Sequence, residues 1–257
     1  MKRWYFLVAA LALIGVLVGV LVSGSSAPPH QRGATGPTST STTVGSAATV
    51  IHDATNKATP STLVATLPHS EPALASPGGQ RTGTVPGSWL GAPSMLPVLA
   101  QQGGYLEVRL AQRPNGSTAW ISAQGITLGA TAYKIVVDLG TEHLLLYRSG
   151  TLVMNAPAGI GTLADPTPEG NFFLAFDAKA PSPDWGSFIM VTSGHSNAIS
   201  DWEESGDAIM AIHGPLGADS AIGTTGARVS HGCVRLHEAD LAQLAVVPPG
   251  SPIVVVG

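Results

Sequence analysis

Ser230-His-Gly-Cys-Val-Arg-Leu236 carries the chain's single cysteine, and Ala211-Ile-His-Gly214 stands upstream of it. Sixteen residues, Gly214 to Val229, separate His213 from Ser230. A thiol with two histidines available points to nucleophilic chemistry. The thiolate is the attacking species, and a free cysteine with a pKa of about 8.5 is mostly thiol at neutral pH. A neighbouring imidazole and a helix N-terminus both favour the thiolate. Glycine beside the nucleophile lets a substrate carbonyl approach backbone N–H groups, which can form an oxyanion hole. His231 lies two residues from Cys233, so in an extended stretch both side chains share a face.

Working outward, the flanks read as strands. Alternating or apolar runs predict strands at Tyr133–Leu139, His143–Tyr147, Thr151–Met154, Asn171–Phe176, Phe188–Thr192, Ala208–Ile212 and Ile253–Val256. One helix is expected at Glu238–Val247. It has Glu238 and Asp240 in its first turn, Leu241, Leu244 and Ala245 as its apolar set, and Pro248-Pro-Gly250 as a stop. Residues 131–257 therefore read as one mostly β domain. Before it, Leu106-Glu-Val-Arg-Leu110, the turn Pro114-Asn-Gly116 and Ala119-Trp-Ile-Ser122 predict a small antiparallel β module over residues 88–130.

The rest of the chain has a different texture. Met1-Lys2-Arg3 is basic, and Trp4–Val22 is a run of 19 uncharged, almost wholly apolar residues. At about 1.5 Å per residue, such a helix just spans a bilayer core. Residues 1–3 would be cytoplasmic, and residues 4–22 a transmembrane anchor or a signal sequence cleaved in the small-residue stretch that follows. Either reading sends the rest of the chain across the membrane. No cysteine follows the apolar run, which excludes a lipoprotein anchor. Residues 23–87 are rich in Ser, Thr, Ala, Pro and Gly with few charges, and read as a disordered tether. Within it only Thr62–Leu67 is apolar enough for a local strand.

Of 257 residues only 11% are charged, and the net charge of −4 excludes a nucleic-acid footprint. One cysteine excludes an intramolecular disulfide. Residues 131–257 hold five basic and thirteen acidic residues, a net of −8, and the remainder carries +4. Part of that acidity, Asp201-Trp-Glu-Glu-Ser-Gly-Asp207, precedes the His213 strand. It is expected either to border the site and attract a cationic amine or to be a solvated loop.

The pair Ile212-His-Gly214 and Ser230-His-Gly-Cys-Val-Arg-Leu236 resembles the signature of the L,D-transpeptidases, the YkuD-type catalytic domain. Pro166-Thr-Pro-Glu-Gly-Asn-Phe172 resembles that family's TPxGxF turn, and Ser193-Gly-His-Ser196 adds support. The resemblance covers residues 131–257 and implies a YkuD-like β-sandwich or barrel with one or two short helices. By it, Cys233 is the nucleophile, His213 the general base, and the Gly214 carbonyl orients the imidazole. Backbone N–H groups around Gly232 and Cys233 hold the oxyanion. Ser230, His231, Arg235 and His195 stand on the substrate side. Many members carry Asn two residues after the cysteine. Here that position is Arg235, whose guanidinium either binds a peptide carboxylate or braces the loop. The residues of 88–130 resemble the small Src-homology-three-like β module that precedes the catalytic domain in some bacterial cell-wall enzymes.

The implied reaction joins peptidoglycan stem peptides into 3→3 crosslinks through a Cys thioester, outside the cytoplasm, without metal or cofactor. Carbapenem-type inhibitors are implied to acylate Cys233. Rival readings are an L,D-carboxypeptidase or cysteine peptidase that passes the acyl group to water, and a catalytically silent wall-binding module. Two blander readings of the residues compete as well. One is an inert buried cysteine. The other is a zinc site of His213, His231 and Cys233 with Asp219 or His195.

Overall fold

The computed structural model describes residues 61–257. Nearly all regular structure in them is β. A ten-stranded mixed sheet builds the C-terminal part. Its order is Thr151–Pro157, His143–Arg148, Tyr133–Asp138, Pro252–Val256, Gly170–Lys179, Phe188–His195, Ile209–His213, Val234–Arg235, Gly159–Gly161 and Ala227–Ser230. Every strand expected in this region forms. The longest extension is at Gly170–Lys179, where an apolar run hides no polar period because both of its faces are covered. The alternation of Tyr133–Asp138 and His143–Arg148 buries Ile135, Val137, Leu144 and Leu146 in one core with Ile212, Val234 and Ile253.

The helix is shorter than expected. Glu238–Gln243 is α-helical, and a 3-10 turn over Leu244–Val246 ends it. The tighter turn has a period near three residues. Leu241, Leu244 and Val247 therefore line up on the core, and Ala245, expected on that face, is exposed.

Residues 62–131 form a seven-stranded sheet in the order Arg81–Val85, Glu71–Leu74, Thr118–Ser122, Tyr105–Arg109, Met95–Gln102, Thr62–Thr66 and Thr127–Thr131. This corrects the tether boundary, because residues 62–66, 71–74 and 81–85 are strands rather than unstructured chain. Composition hid the last two for a physical reason. Arg81–Val85 buries only Val85 and is held by its backbone ladder to Glu71–Leu74. The expected run at Thr62 does form, between Met95–Gln102 and Thr127–Thr131. The hairpin around Pro114-Asn-Gly116 pairs Tyr105–Arg109 with Thr118–Ser122, as its turn residues predict.

The two sheets share core material. On Gly170–Lys179, Phe172 and Leu174 face the larger core, whereas Phe173 and Ala175 join Leu67, Leu106 and Ile121 in the second one. A buried hydroxyl pair, Thr131 Oγ1 and Ser251 Oγ at 2.7 Å, adds a polar tie. Among the described residues no helix is long and apolar enough to cross a membrane. The expected anchor at Trp4–Val22, and residues 23–60 of the tether, lie outside the described residues.

Candidate active site

Two short parallel strands assemble the chemistry. Ile209–His213 pairs with Val234–Arg235 in the register Ile212 to Val234 and His213 to Arg235. Ile212 and Val234 point into the core. Side chains alternate along strands, so Ala211, His213, Cys233 and Arg235 share the opposite face. His213 and Cys233 are thus diagonal neighbours, although 19 residues intervene between them in sequence. The Leu236 N–H donates to the His213 carbonyl at 3.0 Å and locks the register.

His213 is buried, and its Nδ1–H donates to the Gly214 carbonyl at 2.8 Å. That bond leaves Nε2 as the basic lone pair. Burial drives the imidazole pKa down to about 4; the Gly214 bond opposes this and the Arg235 charge adds to it. Trp185, at the end of the 3-10 turn Pro183–Trp185, packs on the ring with centroids 4.6 Å apart. Its carbonyl accepts the Gly214 N–H at 2.8 Å. Glycine is required at 214, since a Cβ there would lie 2.6 Å from the Gly186 nitrogen and 2.8 Å from the Trp185 carbonyl carbon.

Cys233 is half-buried and free. Burial pushes its thiol up, against the Ala211 backbone N–H and the Arg235 charge, which pull it down. Both shifts favour the neutral forms, thiol and imidazole. The helix that was to favour the thiolate begins only at Glu238, beyond the first-turn range of its dipole.

The nucleophile loop is tied by its own serine. Ser230 Oγ accepts the Gly232 N–H at 3.1 Å and donates to the Cys233 carbonyl. The Gly232 amide, expected in the oxyanion hole, donates to the Ser230 hydroxyl in this structure. What the position needs from glycine is the backbone angle, φ = 114°. The Pro166-Thr-Pro-Glu segment borders this loop. The Pro166 carbonyl faces Gly232 across 3.5 Å, measured to a Cβ built there, and buried Thr167 accepts the Gly161 N–H at 2.8 Å.

His231 is exposed on the rim, with Nε2 3.7 Å from Asp165 and its ring 4.9 Å from that of Trp202. Trp202 thus brings the acidic stretch to the site's edge. Its acids divide in role. Asp201 accepts the Gly206 N–H at 2.7 Å, and Glu203 and Glu204 are exposed. Asp207 meets Arg113 at 2.7 Å. Burial would raise the Asp207 carboxyl, but the Arg113 and Ala208 hydrogen bonds and the His195 and Arg113 charges hold it below its ordinary value.

His195 lies away from the substrate face. It is buried, and its Nε2–H donates to the Ala111 carbonyl at 2.7 Å. Its Nδ1 sits 2.7 Å from Asp207 Oδ2 without forming a hydrogen bond. Asn115 brackets the same backbone, accepting the His195 N–H at 2.9 Å and donating to its carbonyl at 2.7 Å. His195 is thus a joint between the two sheets, not a substrate-side residue. The zinc constellation is dispersed as well, since Asp219 pairs with His237 at 2.7 Å. Among the described residues no three His, Cys, Asp or Glu side chains are placed to hold a metal.

Trp185, Arg113 and Asn115 were not anticipated. The only local signal for Trp185 was an aromatic residue in the turn Ser182-Pro-Asp-Trp-Gly186, in a chain with 5% aromatics.

The His213 environment makes a pH prediction. Its folded pKa lies below the ordinary 6.5, so the base is neutral across most of the acid range. The rate of Cys233 acylation by a β-lactam should stay flat below neutrality and fall to half only near pH 4. An acid limb between pH 6 and 7 would contradict the desolvated imidazole. The same depression makes folding pH-dependent. Stability is full above pH 6.5 and declines as pH falls toward about 4, because the unfolded chain binds the proton first. The loss is about 3 kcal/mol at most.

Residues 132–255 match the family model YkuD, L,D-transpeptidase catalytic domain. A Bacillus licheniformis protein bearing the name L,D-transpeptidase YkuD is 29% identical over 122 residues, covering 47% of this chain and 64% of that protein. An Escherichia coli K12 protein named for L,D-transpeptidase YbiS is 30% identical over 158 residues, covering 54% of this chain and 50% of that protein. The chain thus spans less than two thirds of the length of either relative. A solved L,D-transpeptidase from Mycobacterium smegmatis is 18% identical, with a TM-score of 0.38, over 60% of this chain and 91% of that one. With its His213–Gly214 turn and its Ser230–Cys233 loop on adjoining strands, the segment 132–255 belongs to the YkuD family of L,D-transpeptidase catalytic domains.

Proposed function

We propose that the chain is a peptidoglycan L,D-transpeptidase that forms 3→3 crosslinks through an acyl-enzyme on Cys233. One observation carries this reading. A desolvated imidazole is held by Gly214 in the tautomer that leaves Nε2 basic, on the same face as the thiol and diagonal to it.

The steps balance as follows. The Cys233 sulfur attacks the carbonyl of the amide between the third and fourth stem residues, and its proton passes to His213 Nε2. The Cys233 amide is the loop's donor for the resulting oxyanion, the Gly232 amide being held by Ser230. The C–N bond breaks, and His213 returns the proton to the departing D-alanine amine. The side-chain amine of a diamino acid on a second stem then attacks the thioester. Its proton passes through His213 to the sulfur as the C–S bond breaks. One amide is exchanged for another, with no net redox change and no cofactor.

Asp165, Glu203 and Glu204 on the rim supply negative potential that attracts the acceptor's ammonium. The apolar Trp4–Val22 run supports placement outside the cytoplasm, tied to the membrane or released after cleavage. The direct test is incubation with purified tetrapeptide muropeptides and mass analysis of the products. Dimers that have lost one D-alanine support the transferase. Trimmed tripeptides alone would make it a carboxypeptidase, and unchanged substrate would make it a silent wall-binding module. A carbapenem should add its mass to Cys233 and to no other residue, because its strained amide presents the same carbonyl to the same thiol. An unlabelled Cys233 would count against an activated nucleophile.

A further inference from the structure

Arg235 stands at the site, and among the described residues it lacks the carboxylate partner such a group normally has. Arg113 meets Asp207 at 2.7 Å and Arg228 meets Glu142 at 3.3 Å. Among the described residues, no carboxylate forms an ion pair with Arg235. Its Nε is buried without an acceptor, and Nη1 reaches only the Leu216 carbonyl, at 3.4 Å. That distance is too long for a strong bond, so bracing the loop does not account for the group. A buried donor left unmade is costly, and a bound anion is what would satisfy it. Gly159 is the strand neighbour of Arg235, and a Cβ there would stand 3.1 Å from the Arg235 Cβ.

Its position names the anion. Arg235 is the strand partner of His213 and shares a face with Cys233, two residues or about 6.7 Å along the strand. In the proposed reaction His213 must protonate the departing amine, so the departing residue lies on the His213 side of the sulfur. That is also the Arg235 side. The departing residue's carboxylate carbon is three bonds from the carbonyl under attack.

We propose that Arg235 is a specificity-determining residue that receives the free C-terminal carboxylate of the departing residue, so that only the last residue of a stem is released. This rests on the transpeptidase reading and deepens it. The guanidinium fork suits a carboxylate bidentately, and a carboxamide or a continuing peptide offers it no charge.

The test compares a tetrapeptide donor with a free C-terminal acid against the same peptide as its C-terminal carboxamide. Acylation of Cys233 is followed by intact-protein mass for the full chain. Wild type should prefer the acid by about 100-fold in kcat/KM. In Arg235→Gln that ratio should collapse to within about threefold, with Arg235→Lys between, since a point charge replaces a fork. Equal use of acid and carboxamide by wild type would overturn the proposal, whether or not the variants fold. An unchanged ratio in Arg235→Gln would also overturn it, because the charge would then act on the sulfur instead of on the leaving group. Failure of the transpeptidase reading looks different: neither donor would acylate Cys233 in wild type.

Discussion

Cys233→Ala should reduce crosslink formation by about 10⁴-fold or more, because no other group on the site face can form an acyl intermediate. The thiol is not what holds its own loop in place. The loop that carries it is held by Ser230 through two backbone groups, the Gly232 N–H and the Cys233 carbonyl. Its register is held by the Ile212–Val234 and His213–Arg235 pairing. None of these contacts involves sulfur. The alanine variant should therefore keep its fold and thermal midpoint while losing chemistry. Intact-protein mass after exposure to donor reads the result, with wild type gaining the acyl mass and the variant gaining none. Crosslinks formed by the variant at more than a small fraction of the wild-type rate would sink the mechanism.

Gly214→Ala should cost about 100-fold in kcat/KM and also destabilise the fold by about 1–3 kcal/mol. The added Cβ would stand 2.6 Å from the Gly186 nitrogen and 2.7 Å from its Cα, both backbone atoms that no rotamer change can move. One of two things must give. If the Pro183–Trp185 turn retreats, Trp185 leaves the His213 ring and the Gly214 N–H loses its acceptor. If the strand end twists, the Gly214 carbonyl leaves Nδ1. Either way the imidazole is hydrated and misaligned, so the acid limb of the pH profile should also move up from about 4 toward 6.5. That second readout separates a repositioned base from simple loss of folded protein. An alanine variant with wild-type rate and limb would show that the turn is not what holds His213.

Much of this site was legible in the sequence, and what was legible was local. The nucleophile, the spaced histidine and the glycine after it all lie in two short strings, and the apolar run Ala208–Ile212 located the strand that leads to His213, whereas Val234–Arg235 is too short to show a period. Contacts closed over long separations were hidden. Trp185 reaches His213 from 28 residues upstream, and Arg113 reaches Asp207 across 94. Nothing in either segment alone announces its partner. The bond from the Gly232 amide to Ser230 was hidden for a related reason, because hydroxyl orientation has no signature in a motif. The strands Glu71–Leu74 and Arg81–Val85 escaped because polar strands held by their mutual backbone ladder have the composition of a linker.

The strand Gly170–Lys179 serves two cores at once. Its alternate residues, Phe172 and Leu174 against Phe173 and Ala175, belong to different cores. Removing residues up to 130 would take away the cover over Phe173 and Ala175 and present a fresh apolar surface to solvent. The N-terminal sheet is therefore not a detachable appendage. It acts as the other half of one cooperative folding unit, and excising it would trade a catalytic domain for a species prone to self-association.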